Sequence, residues 1–479
     1  MEDITDDETR KAAIAAAADE AEKPVETEPA AEETRAAAAQ PARKRAARKK
    51  SEDAVAVAVD AVEVDVENLY WKGPTAFLRA AFGKVARAAS SKSMPILRCV
   101  GMTWVRGCLE VRATNLDIHA SARVEHSDDV QMSGKGGFAI DAGSLRKLLE
   151  RAGKQIEIEC CGPGTVTVLS DNWHAKLLTL EIEDMPPMPR IKREGVYLPC
   201  KALKKLLKAV YPATSSDSDR YVLNGVCLDL QVVRGQQPIY TLEAVATDGR
   251  RLAMASTNLE ALDTNGPEGP LWDLWDRDGK VLLPNDLVAF LLGVLTGNDG
   301  PAGFGIMTVP EPGQDIAKVV GVWFMEEGMQ VCSKVLEGKY PDFRQVIPAQ
   351  VTETLAIDID ALVEGVGRAE VMAGGNQNSV ELTFFQQDVT VRSCEMDRGE
   401  WWEKLPVVAA ADDVKKMCNI RLNPDYVPPM AGTGQGQLDI GHARTAGPLV
   451  WRSMLPLTAG CDARFTYVLM PMRGEGGAK

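Results

Sequence analysis

The chain has 479 residues, about three times the length of a typical domain, so two to four domains are expected. Apolar residues make up 45% and charged residues 25%, with a net charge of −14, which is typical of a globular protein and unfavourable for indiscriminate nucleic-acid binding. No apolar run is long enough for a membrane helix, and four scattered histidines argue against a His-based metal site or catalytic triad. Ten cysteines without a C-x-x-C pair or a secretory signal indicate reduced thiols in a cytoplasmic protein.

Residues 1–67 differ in composition from the remainder of the chain. They hold 18 acidic and 10 basic residues and are rich in Ala, Glu and Pro, which predicts a disordered N-terminal extension. Within it, residues 43–45 and 48–50 are all basic. This cluster is either part of a mobile arm that touches DNA or part of a charge-balanced linker, and the sequence leaves both interpretations open.

From residue 69 onward, one pattern recurs. A short strand-like segment and a turn residue precede a helix whose apolar residues lie at offsets 0, 3, 4 and 7, which places them on one helix face. The five copies are Leu78, Ala81, Phe82 and Val85; Leu145, Leu148, Leu149 and Ala152; Leu203, Leu206, Leu207 and Val210; Leu287, Phe290, Leu291 and Val294; and Leu362, Gly365, Val366 and Ala369.

A sixth copy is degenerate. It begins at Ile420 and reaches Tyr426, but Pro428 and Pro429 disrupt the expected helix interior. Six units separated by alternating, strand-like stretches predict an α+β protein of three repeated domains, each with two helices on β-sheets. The expected boundaries give domains at 68–192, 193–348 and 349–479, the last with a short C-terminal tail.

The polar faces of the first three helices are basic, although the chain as a whole is acidic. Such faces, gathered on one side, would bind a phosphate backbone, whereas the alternative is an ordinary solvated surface. The candidate DNA-contacting residues on these helices are Lys84, Arg87, Arg146, Lys147, Lys201, Lys204, Lys205 and Lys208.

Several segments together resemble the bacterial DNA polymerase III sliding clamp, the beta subunit. The segments that carry this resemblance are Met94–Leu97 with Leu109–Ile118, Arg220–Val226 with Ala246–Ala253, Gly338–Phe343 with Val346–Pro348, and Tyr467–Arg473. They occur in the family's order and spacing, and they cover about residues 68–473.

The resemblance implies a processivity factor without catalytic residues or cofactors. Clamps of this family form a ring-shaped, head-to-tail homodimer that encircles double-stranded DNA, with helices inside and sheets outside. Contacts made mainly to phosphate allow such a ring to slide. The implied partners are the replicative DNA polymerase catalytic subunit, the ATP-dependent clamp loader, and repair or translesion polymerases, and no membrane is involved.

The resemblance also assigns residues to sites. Lys92, Arg220 and Tyr221 match loops that touch DNA. The interface between chains matches Leu148, Leu149 and Leu177 on domain one, with Val371 and Met372 on domain three. The partner-peptide groove matches Leu223, Thr247, Gly249, Arg250, Arg251, Leu252, Pro341, Val346, Val468, Leu469, Met470, Pro471 and Met472.

Three features of the groove carry their own expectations. The family often has His where this chain has Arg250. It also often has a basic residue near Gln345, and because Gln345 lacks that positive charge, this groove is expected to gain less from acidic residues that flank a peptide. Because Pro471 cannot donate to a strand ladder, the C-terminal apolar segment is not expected to form a regular central strand. Methionines in such a segment suit a groove that accepts several peptides.

Two other classes of function compete with this interpretation. A DNA-processing enzyme would need a second carboxylate or a metal-ligand set beside Asp248, and none is evident, so Asp248 is expected to bond turn amides instead. A non-ring DNA-binding scaffold related to the clamp remains the main alternative, because of the extension and the altered groove. The mass of the protein in solution separates it from a ring.

Overall fold

A computed structural model describes residues 68–472 except for fifteen short internal segments. The expected disorder of residues 1–67, the short C-terminal tail and the candidate DNA contact Lys92 therefore lie outside the described residues. The excepted internal segments are 91–93, 106, 125–126, 161, 192–194, 234–238, 259–279, 310–317, 352, 374–377, 396, 411–417, 434, 444–446 and 459–460.

In the described residues, five α-helices form where the apolar offsets predict them. Their apolar stripes are buried in one continuous core that contains residues of all five helices. Polar side chains cap two of them, since Asp141 accepts a hydrogen bond from the amide of Ser144 and Asp358 accepts from the amides of Asp360 and Ala361. The helices are α1 Thr75–Val85, α2 Ala142–Arg151, α3 Cys200–Val210, α4 Asn285–Val294 and α5 Ile359–Glu370.

The sixth unit contains no α-helix in the described residues. Two 3-10 turns, Pro424–Tyr426 and Pro428–Met430, take its place. Proline lacks an amide proton and its ring clashes with the preceding helical turn, so consecutive prolines at 428 and 429 end any helix that starts at Asn423. The degenerate sixth copy is thus confirmed as a structural difference between the third domain and the first two.

The described part of the chain forms twenty-five strands. They are β1 Leu69–Pro74, β2 Cys99–Val105, β3 Cys108–Thr114, β4 Ile118–Val124, β5 Gln131–Ser133, β6 Gly136–Asp141, β7 Gln155–Cys160, β8 Thr165–Ser170, β9 Trp173–Glu181, β10 Val196–Pro199, β11 Gly225–Val233, β12 Ile239–Thr247, β13 Arg251–Asn258, β14 Lys280–Pro284, β15 Pro301–Val309, β16 Lys318–Glu326, β17 Met329–Lys334, β18 Thr354–Ile357, β19 Val380–Phe384, β20 Asp388–Glu395, β21 Gly399–Ala410, β22 Cys418–Leu422, β23 Gly436–Asp439, β24 Leu449–Thr458 and β25 Cys461–Leu469.

The strands form two long antiparallel sheets that cross the domain junctions. The first has the order β10-β15-β16-β17-β4-β3-β2-β6-β9-β8-β7-β1-β5, and the second has the order β14-β11-β12-β13-β25-β24-β23-β18-β21-β20-β19-β22. Within each sheet, core-facing apolar residues alternate with residues on the opposite face, as the strand period of two requires. The helices therefore pack on one face of the sheets and leave the other face for solvent and for the segments that link the domains.

The same order of secondary-structure elements repeats through the fold. In each half-domain a short strand leads into a helix or 3-10 turn, and an antiparallel set of three strands follows. The domains join where the third strands of two such sets pair, β4 with β17 and β13 with β25. The third strands β9 and β21 form no such junction in the described part of the chain.

Candidate nucleic-acid interface and partner groove

The basic face of α3 is largely anchored to neighbouring segments. Lys204 Nζ donates to the carbonyl of Leu295 at 2.6 Å, and Lys205 Nζ donates to the carbonyl of Pro456 at 2.5 Å. Lys201 lies 3.9 Å from a carboxylate oxygen of Asp299. Lys208 is exposed on the same face. This helix therefore presents a basic surface, and Lys205 also bonds it to β24 of the third domain.

The cations of α1 and of the turn after it act across the junction between the first and second domains. Lys84 Nζ donates to the carbonyl of Glu327 at 3.2 Å. The guanidinium of Arg87 lies against α4 so closely that a Cβ at Gly293 would overlap its Nη1 atom. A side chain at position 293 would therefore displace the end of the flexible Arg87 side chain from this position. On α2, by contrast, Arg146 and Lys147 are exposed to solvent.

The loop with Arg220 and Tyr221 forms a 3-10 turn, Ser218–Leu223. Tyr221 is exposed, and Arg220 Nη1 lies 2.8 Å from where a Cβ would stand at Gly249. Gly249 has a φ of +85°, a conformation that favours glycine. The candidate DNA-contacting loop thus lies beside the turn that belongs to the predicted groove.

Asp248 holds that turn together. Its Oδ1 atom accepts from the amides of Arg250 and Arg251 at 2.9 Å, and its Oδ2 atom pairs with Arg251 Nε at 3.0 Å. Thr247 Oγ1 donates to the carbonyl of Arg251 at 2.6 Å and accepts from the amide of Gly249. Asp248 is therefore occupied by turn amides, as the sequence predicted for a structural rather than a catalytic carboxylate.

The predicted groove residues separate into a buried floor and an exposed rim. Leu223, Leu252 and Val468 belong to a buried cluster on the sheet face opposite the helices. Tyr340 and Phe343 of the linking segment close this cluster from above, beside exposed Pro341 and Val346. Apart from Arg250 and Arg251 of the turn, the other positions lie at the ends of the strands that flank this cluster. They are Leu469, which is buried in the main core, half-buried Thr247 and Pro471, and exposed Gly249, Met470 and Met472.

The expectation that the C-terminal apolar segment avoids a regular central strand is wrong. β25 lies between β13 and β24, and both Val468 and Leu469 are in its ladders. The strand ends at Leu469, two residues before Pro471, so the proline never occupies a ladder position. Met470 and Met472, each 37% exposed, lie outside the strand together with Pro471.

Tyr426, which the sequence analysis did not assign to any site, lies against two of the predicted groove residues, Arg250 and Arg251. The guanidinium carbon of Arg251 lies 4.5 Å from the centre of its ring, and Arg250 Nη1 donates to its hydroxyl at 3.3 Å. This hydrogen bond raises the pKa of Arg250. Buried Tyr467 donates to the carbonyl of Tyr426 at 2.7 Å, and burial raises the pKa of Tyr467, so that hydroxyl stays protonated. The aromatic residue in the degenerate sixth copy was the one available signal.

Arg344 fixes the linking segment that carries Pro341 and Val346. Its guanidinium pairs with Glu243 at 2.5 Å and with buried Asp229 at 3.4 Å, and it lies over the ring of Phe343. Burial raises the pKa of Glu243, and the charge of Arg344 works against that rise. The side chain of the neighbouring Gln345 donates a hydrogen bond to the carboxylate of Asp342.

We expect Arg344→Gln to lower the free energy of unfolding by about 2 kcal/mol at neutral pH, because buried Asp229 and half-buried Glu243 lose their cation, while the partial exposure of Arg344 limits the loss. Without Arg344 the folded-state pKa of Glu243 rises further above its unfolded value. The destabilisation is therefore largest at neutral pH and shrinks as the pH falls through the raised pKa of Glu243. Urea unfolding of this variant and of Arg344→Lys, which keeps the charge, measures both effects. An equal loss of unfolding free energy at neutral and at acidic pH would contradict the electrostatic cause.

The candidate interface residues also differ in accessibility. Leu149 is 1% exposed and lies in the main core, so it offers no surface to a second chain, and this assignment is corrected. Leu148 and Leu177 are half-buried against that core. On the third domain, Val371 is 68% exposed and Met372 is half-buried just after α5. Leu178, 82% exposed on β9, and exposed Trp402 on β21 were not predicted.

Two other kinds of site are absent from the described residues. No group of three or more His, Cys, Asp or Glu side chains is arranged to hold a metal ion in this part of the chain. None of its helices is long and apolar enough to cross a membrane.

Comparisons with known proteins agree with this geometry. Residues 197–342 match the family model for the central domain of the DNA polymerase III beta subunit, and residues 344–430 match the model for its C-terminal domain. The chain is 22% identical over 403 residues to the beta sliding clamp of Synechococcus elongatus, covering 83% of this chain and 97% of that protein.

Similar solved structures include the DNA polymerase sliding clamp of Bacillus subtilis, with a TM-score of 0.70 at 19% identity. Another is the sliding clamp of Bartonella birtlesii bound to griselimycin, with a TM-score of 0.70 at 21% identity. In both cases 85% of this chain and 100% of the other chain are covered.

Proposed function

Since the chain belongs to the family of bacterial DNA polymerase III beta subunits, the non-catalytic sliding clamps, we propose that two copies close head to tail into a ring around duplex DNA. Each copy contributes three domains, with proposed boundaries at 68–192, 193–348 and 349–479. The ring tethers the replicative polymerase, the clamp loader and repair or translesion polymerases in the cytoplasm through the groove between the second and third domains.

The proposal of a ring rests on which strands pair at the junctions between domains. Both internal junctions pair the third strands of two three-strand sets, β4 with β17 and β13 with β25. β9 and β21 are the remaining third strands, one in the first domain and one in the third. β9 pairs with β6 only through residues 179–181, and β21 pairs with β18 only from residue 407 onward. Pairing β9 of one chain with β21 of another would repeat the internal junction and close a two-fold ring.

The registers of the two internal junctions specify how the chains would pair. Positions in different three-strand sets can be compared by counting along the strand pairs from the residue that precedes each helix. By this count, His119 on β4, Leu252 on β13 and Glu400 on β21 occupy equivalent positions. Their counterparts at the other side of each junction are Cys332, Val468 and Lys176. His119 pairs with Cys332, and Leu252 pairs with Val468. The same register would place Lys176 opposite Glu400, which is a favourable cross-strand charge pair.

The helix side of the ring would face DNA. The exposed cations Arg146, Lys147 and Lys208 lie on helices that pack on the same face of the sheets. A basic helix side on a chain with a net charge of −14 steers a duplex towards the inner wall and away from the outer surface.

We expect weak, sequence-independent binding to short linear duplex that fades steeply with salt. Arg146→Gln with Lys147→Gln should lower the slope of log affinity against log salt by about 2, because two phosphate contacts are lost. The matched control, Arg123→Gln with Arg464→Gln, removes two cations from the opposite face of the sheets and should leave the slope unchanged. Fluorescence anisotropy with two unrelated duplex sequences measures both.

Encircling the duplex should keep the protein on DNA for a long time, although its contacts with the phosphates are weak. A ring loaded on a nicked circle should survive a salt wash that removes it from linear duplex, because release from a circle requires the ring to open. If loaded protein leaves nicked circles as fast as it leaves short linear duplex, the ring mechanism is wrong.

A further inference from the structure

The turn between β12 and β13 carries two adjacent arginines, and only one of them is paired with a carboxylate. Arg251 Nε donates to Asp248 Oδ2 at 3.0 Å, its Nη1 atom donates to the carbonyl of Asp425 at 3.3 Å, and its side chain is only 14% exposed. Arg250, by contrast, is exposed and forms no ion pair within the part of the chain that the structure describes. Arg250 is therefore the cation of this turn that remains available to a ligand.

Tyr426 fixes the direction of the Arg250 side chain. Arg250 Nη1 donates to the hydroxyl of Tyr426 at 3.3 Å. Tyr426 is itself held in place, because the guanidinium carbon of Arg251 lies 4.5 Å from the centre of its ring and its carbonyl accepts from buried Tyr467 at 2.7 Å. A guanidinium has five donors in a rigid plane, so one bond to Tyr426 orients it and leaves further donors for a ligand.

Arg250 lies at one end of the predicted groove. Its carbonyl accepts from the amide of Met470 at 3.0 Å, at the point where the chain leaves β25. Met470 belongs to the exposed rim of the groove, and Leu252, which follows the two arginines, belongs to its buried floor. An oriented cation thus lies beside apolar side chains, and this combination is typical of sites that select among apolar ligands by a polar group.

A second guanidinium approaches the same turn. Arg220 Nη1 lies 2.8 Å from where a Cβ would stand at Gly249, and Arg220 is exposed as well. Both carboxylate oxygens of Asp248 accept hydrogen bonds from the turn itself, and the carboxylate of Asp425 accepts from Asn378 at 3.5 Å. This end of the groove therefore carries two cations that pair with no carboxylate of the described residues, and it is complementary to a negatively charged ligand group.

We propose that Arg250 is a specificity-determining residue of the groove and selects partner peptides that carry a carboxylate at the end of their apolar motif nearest this turn. The proposal rests on the peptide-binding function proposed above. The carboxylate belongs either to an acidic side chain or to the C-terminus of the peptide, since both present two oxygens to a guanidinium. This contact is separate from position 345, where neutral Gln345 donates to Asp342, so it is compatible with the smaller gain expected at that position.

Four peptides separate the carboxylate from the apolar motif. The reference is acetyl-Gln-Leu-Ala-Leu-Phe-amide, which has no charge. The second peptide adds Asp before Gln, the third adds Asp after Phe, both with blocked ends, and the fourth is the reference with a free C-terminal carboxylate. We expect a carboxylate at one end of the motif to strengthen binding to the full chain about 3- to 10-fold at low salt. A gain for the second or third peptide assigns an acidic side chain, and a gain for the fourth alone assigns the C-terminus.

The variants test whether Arg250 causes this gain. Arg250→Gln should remove the gain and change the affinity for the reference peptide less than about 2-fold, whereas Arg250→Lys should retain part of it, because lysine keeps the charge without the planar fork. Tyr426→Phe removes only the hydroxyl that orients Arg250, and it should reduce the gain about 2- to 3-fold. The matched control is Arg464→Gln, which removes an exposed cation about 20 Å along β25 from Met470 and should leave the gain unchanged.

Fluorescence anisotropy with the labelled peptides at low and high salt measures these effects. The gain should fall as salt rises, because the charges involved are exposed, while the affinity for the reference peptide should change little. Equal affinities of the four peptides, or a gain that survives Arg250→Gln, would overturn the selection by Arg250 and leave the groove itself in place. Equal losses for the reference and the acidic peptides in Arg250→Gln would also overturn it, because they indicate a structural role. If none of the four peptides binds, the proposed groove function fails and the selection fails with it.

Discussion

Met372→Asp is expected to convert the proposed dimer into monomers at micromolar concentration. Met372 is half-buried after α5, where its amide donates to the carbonyl of Ala369, and Val371 beside it is exposed. In a closed ring this surface would meet Leu148 and Leu177 of the second chain. A carboxylate there would be buried without a partner, at a cost on the order of 2 kcal/mol or more at each of two identical contacts.

Light scattering and sedimentation of the full chain measure the mass. Met454→Asp, which adds the same charge at an exposed methionine of β24, is the matched control and should leave the dimer intact. A parent protein that is monomeric at micromolar concentration would favour the non-ring scaffold instead. A Met372→Asp protein that remains dimeric would place the interface elsewhere.

The register supplies a finer version of the same experiment. Lys176→Glu alone, or Glu400→Lys alone, should weaken the dimer, because like charges would then face each other across the new strand pair. The double swap should restore it. Failure of the restoration would show that β9 and β21 do not pair in this register, even if the ring itself forms.

The helices were predictable because their signal is local. Leu203, Leu206 and Leu207 of α3 form a stripe within two turns, and burying that stripe requires no knowledge of its partner. The strand junctions were not predictable in the same way, since β4 and β17 lie about 200 residues apart in sequence and nothing local specifies that they pair.

The assignment of site residues from sequence was least reliable where the accessibility of a side chain depends on the tertiary fold. Leu148 and Leu149 are adjacent in sequence and equally apolar, yet only Leu149 is fully buried, because a helix face turns by 100° between neighbours. Likewise, a basic helix face predicts cations at the surface. It does not predict that Lys204 and Lys205 donate to carbonyls of distant segments.

The central position of β25 in its sheet shows a third limit of prediction from the sequence. Pro471 correctly excludes a ladder hydrogen bond at its own position. It does not exclude the pairing of Val468 and Leu469, because the ladder ends at Leu469, before the proline is reached. The resemblance assigns the C-terminal segment to the predicted groove, and the structure separates the buried strand of that segment from its exposed methionines.

Those methionines carry the remaining prediction. Met470→Ala with Met472→Ala should weaken a partner peptide with a Gln-Leu-x-Leu-Phe-like motif by about 1–3 kcal/mol, because two adaptable apolar side chains of the groove rim are truncated. Their backbone bonds, from Met470 to the carbonyl of Arg250 and from Met472 to the carbonyl of Arg421, do not depend on the side chains. Folding and dimer mass should therefore be preserved.

Calorimetry with the same peptide and with Met454→Ala as the matched control separates a groove effect from a general loss of exposed methionine. Met454 has a comparable exposed fraction but lies on β24, away from the rim. Because Arg250 and Arg251 hold Tyr426 independently of the methionines, the polar side of the groove stays in place in the double variant. A large fall in affinity would then come from the apolar side alone. Unchanged affinity, with folding and dimer mass intact, would place the partner site on another surface of the protein.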